Sequence, residues 1–267
     1  KVGNCTQLIK MSEVKPLVSV IMNCHNGGKF LEQSINSIIL QTYKNWELIF
    51  WDNVSQDESK KILNKFSDNR IKYFKSQKFN RLFESRNLAI QNARGEYISF
   101  LDTDDMWQKD KLEKKINFFS KNKDYEIVYS NYYIYDEVKK KKFVKFKKPL
   151  LSGIIFKELL KNYTVGIITL CLKSSIFKDN TFNDNFDIIG DFDLFLKLSE
   201  NKKIGYMHDV LAVYRLHKSN LSIKKIDQHA YELQTWVREN KDKKKYKGNL
   251  KYIKFYILKL KLKNFFY

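Results

Sequence analysis

Three short apolar runs, each ending in a polar cluster, constrain the fold of this chain more than any other feature. Leu17-Val18-Ser19-Val20-Ile21-Met22 runs into Asn23, His25, Asn26, Gly27 and Gly28, and Trp46-Glu47-Leu48-Ile49-Phe50-Trp51 runs into Asp52, Asn53, Ser55 and Asp57. Glu96-Tyr97-Ile98-Ser99-Phe100-Leu101 runs into Asp102, Asp104 and Asp105. Each run has the length and the β-branched or aromatic content of a buried strand. Helical spacing follows the first two, with Leu31, Ile35, Ile38 and Ile39 on one face and then a helix from about Glu58 to Phe66 that Ser55 or Asp57 can cap. A short strand over residues 71–74 and a helix over residues 81–93 precede the third run. This alternation predicts a doubly wound α/β fold with a mostly parallel sheet flanked by helices, and in such sheets ligands bind beyond the carboxyl ends of the strands. All three polar clusters lie there.

The third cluster is the most demanding, because a buried strand does not end in three carboxylates within four positions unless they have a partner. Water, the lysines of this chain, or a divalent cation carrying a polyphosphate could each serve. Hard cations such as Mg2+ and Mn2+ take oxygen ligands and bind phosphates through one or two carboxylates. Ordinary turns and caps would account for any one cluster by itself.

The chain has 267 residues, enough for one large α/β domain or a domain with a subdomain. It carries 50 Lys and Arg against 30 Asp and Glu, a formal charge of +20, which points to a negatively charged partner. The excess is local. Ten lysines fall between Lys241 and Lys263 and seven between Lys139 and Lys148. Cys5, Cys24 and Cys171 are odd in number and far apart, which suits free thiols rather than disulfides or a zinc site. Neither an apolar run long enough to span a membrane nor a signal-peptide pattern is present, so the sequence predicts a cytoplasmic protein.

The second half is less regular. The pattern predicts a helix over residues 109–120, a strand over 125–130, and a hairpin through Tyr135 to Phe146. It also predicts a helix capped by Ser152 and a strand over 166–172. A helix beginning near Asp191 places that acid on one face with Leu194, Phe195 and Leu198. A first-turn acid favours the positive end of the helix dipole, which is sufficient reason for it to be there. A further strand, Val210 to His217, ends in a histidine that is as compatible with a solvated position as with a ligand.

Taken together, six motifs over Leu17 to Ser222 resemble the family 2 glycosyltransferases, which have the GT-A fold. They are Val18 to Asn26, the Asp52-Asn53-x-Ser55-x-Asp57 segment, Ser85-Arg86-Asn87, Asp102-Thr103-Asp104-Asp105, Gly190-Asp191-Phe192-Asp193-Leu194, and Tyr214-Arg215-Leu216-His217. The resemblance implies a nucleotide-diphosphate sugar as donor, with Asn26 and Asp52 near the nucleoside and Asp52 reading the base. Asp102 would approach the ribose and diphosphate, Arg86 would face the phosphates or Asp52, and Asp104 with His217 would hold Mn2+ or Mg2+. Asp191 would be the general base of an inverting displacement, kept ionised by its helix N-terminus at some loss of basicity. The sequence departs from the family pattern at Asn23, His25 and Asn53, which bears on base and sugar preference.

The resemblance divides the chain into an N-terminal extension (1–16), a glycosyltransferase domain (17–222) with a nucleotide-binding half (17–108) and an acceptor-side half (109–222), and a basic C-terminal extension (223–267). It implies a saccharide or lipid-linked saccharide acceptor used in surface polysaccharide biosynthesis. Leu250, Ile253, Ile257 and Leu260 have helical spacing among lysines, as in a helix lying on an anionic membrane, whereas residues 258–263 alternate as a strand does. Two other classes fit less well. A sugar nucleotidyltransferase would carry a basic Gly-rich loop after its first strand, and residues 23–28 contain no Lys or Arg. A nucleic-acid-binding protein would line its strand ends with the basic residues that here flank them, so no nucleic-acid partner is expected.

Overall fold

The computed structural model describes residues 15–265; most of the N-terminal extension, Cys5 included, lies outside them. The expected alternation is present in the first half: β1 (Val18–Cys24), α1 (Gly28–Ile39), β2 (Trp46–Asp52), α2 (Ser59–Leu63), β3 (Ile71–Lys75), α3 (Leu82–Ile90) and β4 (Tyr97–Phe100). Strands β3, β2, β1 and β4 lie side by side, all parallel. Their residues are covered on both faces because alternate side chains enter different cores. Val20 and Met22 pack toward α1, whose Leu31, Ile35 and Ile38 are fully buried, while Ile21, Ile49 and Phe100 pack on the opposite side with Phe83 of α3.

Beyond β4 the chain continues with β5 (Met106–Trp107), α4 (Lys111–Lys121), β6 (Ile127–Asp136), β7 (Lys141–Val144), α5 (Phe156–Lys161), β8 (Cys171–Lys173), α6 (Ile176–Asp179), α7 (Gly190–Leu198) and β9 (Ile204–Leu216). The sheet order is β3-β2-β1-β4-β8-β6-β9-β5, with β7 paired to β6. Here β8, β7 and β5 run antiparallel to their neighbours, and β6 and β9 are parallel through a bulged register at Ser130 to Tyr132. Two predicted details differ. Ser152 caps no helix, because its hydroxyl accepts the Tyr206 N–H at 2.8 Å, and residues 166–172 begin as a 3-10 turn at Ile167–Thr169 with only Cys171–Lys173 extended. The predicted helices and strands otherwise recur with their ends shifted by a few residues.

The chain closes with α8 (Leu221–Lys224), α9 (Ile226–Asn240) and α10 (Leu250–Phe265). The alternating 258–263 stretch is therefore helical. Helical spacing prevails because Leu250, Ile253, Ile257 and Leu260 all bury against the core shared with α5, α7 and α9. The alternate apolar residues Leu258 and Leu262 remain exposed, and among the described residues no helix is long and apolar enough to cross a membrane. Cys24 and Cys171 are buried free thiols.

Candidate active site

The parallel register aligns the carboxyl ends of the strands, with Cys24 of β1 opposite Asp52 of β2 and Ile21 opposite Phe100 of β4. Asn26, in the left-handed region at φ 53°, ties the first two loops together. Its side-chain oxygen accepts the Gln56 N–H at 2.8 Å, and its own N–H donates to Ser55 Oγ at 3.1 Å. Asp52 is buried at the same edge. Its two oxygens accept the Ser55 N–H and the Tyr73 hydroxyl, each at 2.8 Å. Next to them His25 bonds the Asn53 carbonyl oxygen through Nδ1 and meets the exposed Phe79 ring edge-on at 4.8 Å.

The acidic loop is pressed against the first loop, since a Cβ at Gly27 would lie 2.6 Å from Thr103 Oγ1. The Ser34 hydroxyl of α1 lies 2.7 Å from the carbonyl oxygens of both Thr103 and Asp105 and can donate to one at a time. The short strand β5 then pairs antiparallel with β9, Met106 opposite Val213, which carries the loop to the end of β9. There His217 Nε2 lies 2.9 Å from Asp104 Oδ2, and Asn220 Nδ2 lies 3.4 Å from the same oxygen. Burial and the neighbouring Asp102 raise the Asp104 carboxyl above its ordinary range, against the opposing pull of His217.

Asp105 points the other way. It is fully buried and accepts the Arg215 N–H at 2.8 Å, while burial, then Asp104 and Asp102, push its carboxyl well up. It thus neither faces the cluster nor caps α4. Arg215, to which the sequence reading gave no role, is the bolt of this loop. Its side chain is 4% exposed and donates to the Asp104 carbonyl oxygen at 2.9 Å, to Glu137 at 2.7 Å and to Gln33 at 2.6 Å, over the Phe30 ring. A planar guanidinium with donors on three sides suits such a junction. Its clue in the sequence is an arginine at the end of an apolar strand.

A second group forms around Arg86 of α3. Its guanidinium donates to Asp102 Oδ1 at 2.7 Å and does not bond Asp52. It also favours the charged form of Asp191, the second residue of α7. Asp191 nevertheless has its pKa pushed up to about 6, because burial outweighs Arg86 and the Phe192 N–H that it accepts at 2.8 Å. The expectation of reduced basicity at a helix N-terminus is therefore reversed, desolvation being the larger effect. Asp193 is turned away to accept the Trp236 indole N–H at 2.8 Å.

Two contacts that the sequence did not reveal hold Asp191 in place. Gly190 lets α7 approach α3 so closely that a Cβ there would lie 2.5 Å from the Phe83 ring. Glu232 of α9, itself buried, accepts the N–H groups of Asp187, Ile188 and Ile189 at 2.8, 2.9 and 3.2 Å, just ahead of the helix. The motif residues thus fall into three groups: Asn26 and Asp52, joined through Ser55; Arg86 with Asp102, near Asp191; and Asp104 with His217.

As a metal site, Asp104 and His217 provide a carboxylate oxygen and an imidazole nitrogen, a donor pair that suits Mn2+ and accepts Mg2+ less readily. Among the described residues no group of three or more His, Cys, Asp or Glu forms a full cage.

The profile of glycosyl transferase family 2 matches residues 19–186. The chain is 34% identical over 215 residues to the Escherichia coli UDP-Glc:alpha-D-GlcNAc-diphosphoundecaprenol beta-1,3-glucosyltransferase WfgD, covering 79% of this chain and 82% of WfgD. It is 30% identical over 223 residues to the Bacillus subtilis putative teichuronic acid biosynthesis glycosyltransferase TuaG, covering 80% of this chain and 85% of TuaG. Among solved structures, the S. aureus TarS 1-349 complex with UDP superimposes with a TM-score of 0.62 at 20% identity, covering 81% of this chain; the chain spans only 65% of that fragment. The Pyrobaculum calidifontis mannosyltransferase PcManGT with GDP-Man and Mn2+ gives a TM-score of 0.66 at 15% identity, covering 92% of this chain and 70% of PcManGT. At these identities the solved structures establish the fold, and the sequence matches establish the rest: the chain belongs to glycosyl transferase family 2, and it is a glycosyltransferase of GT-A fold.

Proposed function

We propose that the protein transfers a sugar, with inversion at the anomeric carbon, from a nucleoside-diphosphate sugar to a hydroxyl of a glycan or lipid-linked acceptor in the assembly of a surface polysaccharide. The observation that carries the mechanism is the Arg86–Asp102 ion pair lying within electrostatic reach of Asp191, a half-buried acid of raised pKa. Asp191 takes the proton of the acceptor hydroxyl as that oxygen attacks the anomeric carbon, and the bond to the diphosphate breaks on the opposite face. At pKa about 6 it is ionised at neutral pH yet more basic than an exposed aspartate.

On the donor side, Asn26 and Asp52 take the nucleoside, and Asp102 with Arg86 the ribose and diphosphate. Asp104 and His217 would hold Mn2+ or Mg2+, which when bound supplies positive charge to the departing diphosphate. The relatives' names support the acceptor: WfgD acts on a diphosphoundecaprenol-linked sugar, and TuaG is assigned to teichuronic acid biosynthesis. A lipid-linked acceptor suits a protein that rests on the cytoplasmic membrane face through the lysine-rich residues 241–267, where Phe255, Leu258 and Leu262 of α10 are exposed.

A panel of nucleotide sugars with nucleoside-diphosphate release as readout tests the reaction; release of pyrophosphate instead would mean nucleotidyl transfer. Asp191→Asn should abolish transfer while calorimetric binding of donor with Mn2+ stays within a few-fold, and Asp104→Ala should weaken that binding. Near-normal turnover by Asp191→Asn rules out its role as base.

A further inference from the structure

A cavity of about 510 Å³ opens beside Asp191 and runs between α5, the start of α7, α9 and α10. Its volume is that of a small-molecule site. Among the described residues Asp191 is its sole carboxylate. Leu160, Ile189, Leu233 and Ile253 make its floor, and His229, Tyr252, Phe255 and Tyr256 make an aromatic wall contributed by the C-terminal helices. Lys145, Lys161 and Lys259 lie at its exposed margin on three different elements, and none forms an ion pair among the described residues. Lys145 leaves the lysine-rich β6–β7 hairpin, so that hairpin reaches the same opening.

Tyr163 also lines the cavity, and its hydroxyl is buried with no hydrogen-bond partner among the described residues. Nearness to Asp191 adds to the effect of burial in keeping that phenol protonated, and hence a donor.

We propose that this cavity is the acceptor subsite and takes an amphiphilic glycosyl phosphate or diphosphate, its sugar hydroxyl at Asp191, its apolar chain along the aromatic wall, and its phosphate at Lys145, Lys161 and Lys259. The charge pattern selects this occupant. A neutral glycan would leave three lysines unmatched, and a free anion would leave the apolar wall wet. The C-terminal helices on this reading form part of the substrate site as well as a surface for the membrane. The inference rests on Asp191 being the base, so its test is made by binding alone, and nucleoside-diphosphate release from the donor panel judges the reaction separately.

Calorimetric titration of the full chain with octyl phosphate below its micelle concentration, with octanol and with inorganic phosphate tests it. Octyl phosphate should bind about tenfold or more tightly than either fragment, since burial of a few methylenes gives that margin over inorganic phosphate and charge-assisted bonds to the lysines give it over octanol. Phe255→Ser and Lys259→Glu, both at exposed positions, should each weaken octyl phosphate by about tenfold. Equal binding by wild type and both variants overturns the proposal. So does an equal loss in Leu258→Ser, which is exposed on the same helix outside the cavity, because that result means adsorption to α10 in general.

Discussion

The placement of Asp191 depends on the absence of one carbon atom. A Cβ at Gly190 would lie 2.5 Å from two carbons of the Phe83 ring and 2.7 Å from a third, about 1 Å inside ordinary contact. The ring has no room to yield. Phe83 is 1% exposed, its ring centroid lies 5.3 Å from that of Phe182, and the Arg86 guanidinium lies 5.1 Å from it. Gly190→Ala must therefore push α7 off α3. Overpacking of this kind costs about 1–3 kcal/mol, and the helix propensity gained over glycine returns up to about 1 kcal/mol. A net loss of about 1–2 kcal/mol corresponds to a fall in Tm of roughly 2–8 °C for a domain of this size. The catalytic effect should be larger, since a displacement of about 1 Å can cost 10²-fold in rate. Differential scanning fluorimetry and steady-state nucleoside-diphosphate release on the same preparations measure both, and Phe83→Leu combined with Gly190→Ala should recover part of each by making space. If Gly190→Ala keeps its Tm and its kcat within about twofold, the close approach does not position the acid.

Two further outcomes are expected. With Asp191 as the proposed base, active when deprotonated, kcat/KM should rise with pH along a limb centred at about 6 and level off above it; Arg86→Gln removes the charge that opposes burial, so the limb should move to higher pH, and a limb unmoved in that variant contradicts the electrostatic account. Lys115 is fully buried in α4 with no partner for its amine, and burial, reinforced by Lys111, holds its pKa well below the ordinary range. The unfolded chain then binds the extra proton at neutral pH, so stability should rise with pH. Lys115→Met should raise Tm at pH 7, with a gain that shrinks as the pH approaches the ordinary lysine range, and a gain independent of pH refutes the assignment.

The parallel half of the fold was legible because its strands are buried on both faces and its helices are amphipathic, so local period and tertiary burial agree. Asn26, Asp52 and Asp102 were legible for the same reason: each follows directly on such a strand, where the topology fixes what it faces. The pairing of Asp104 with His217 was implied by resemblance alone. Its physical cause is the two-residue strand β5, which bonds to β9 more than a hundred residues later in the chain. A strand that short has no periodicity to read.

The environment of Asp191 was less legible still, because it is assembled from parts that carry no chemical signature. The residues before α7 end in free N–H groups that the sequence offers no local acceptor to satisfy, and the acceptor is Glu232, more than forty residues onward on a helix of the basic extension. That contact changes the meaning of the extension. Its lysines drew attention to an outer surface, yet its buried face supplies a carboxylate to the loop bearing the proposed base, and its aromatic residues wall the cavity beside it. Charge counting registers only what faces water. The basic extension and the proposed base are therefore one structural unit, and a truncation of the whole extension, residues 223–267, would also remove the support of Asp191.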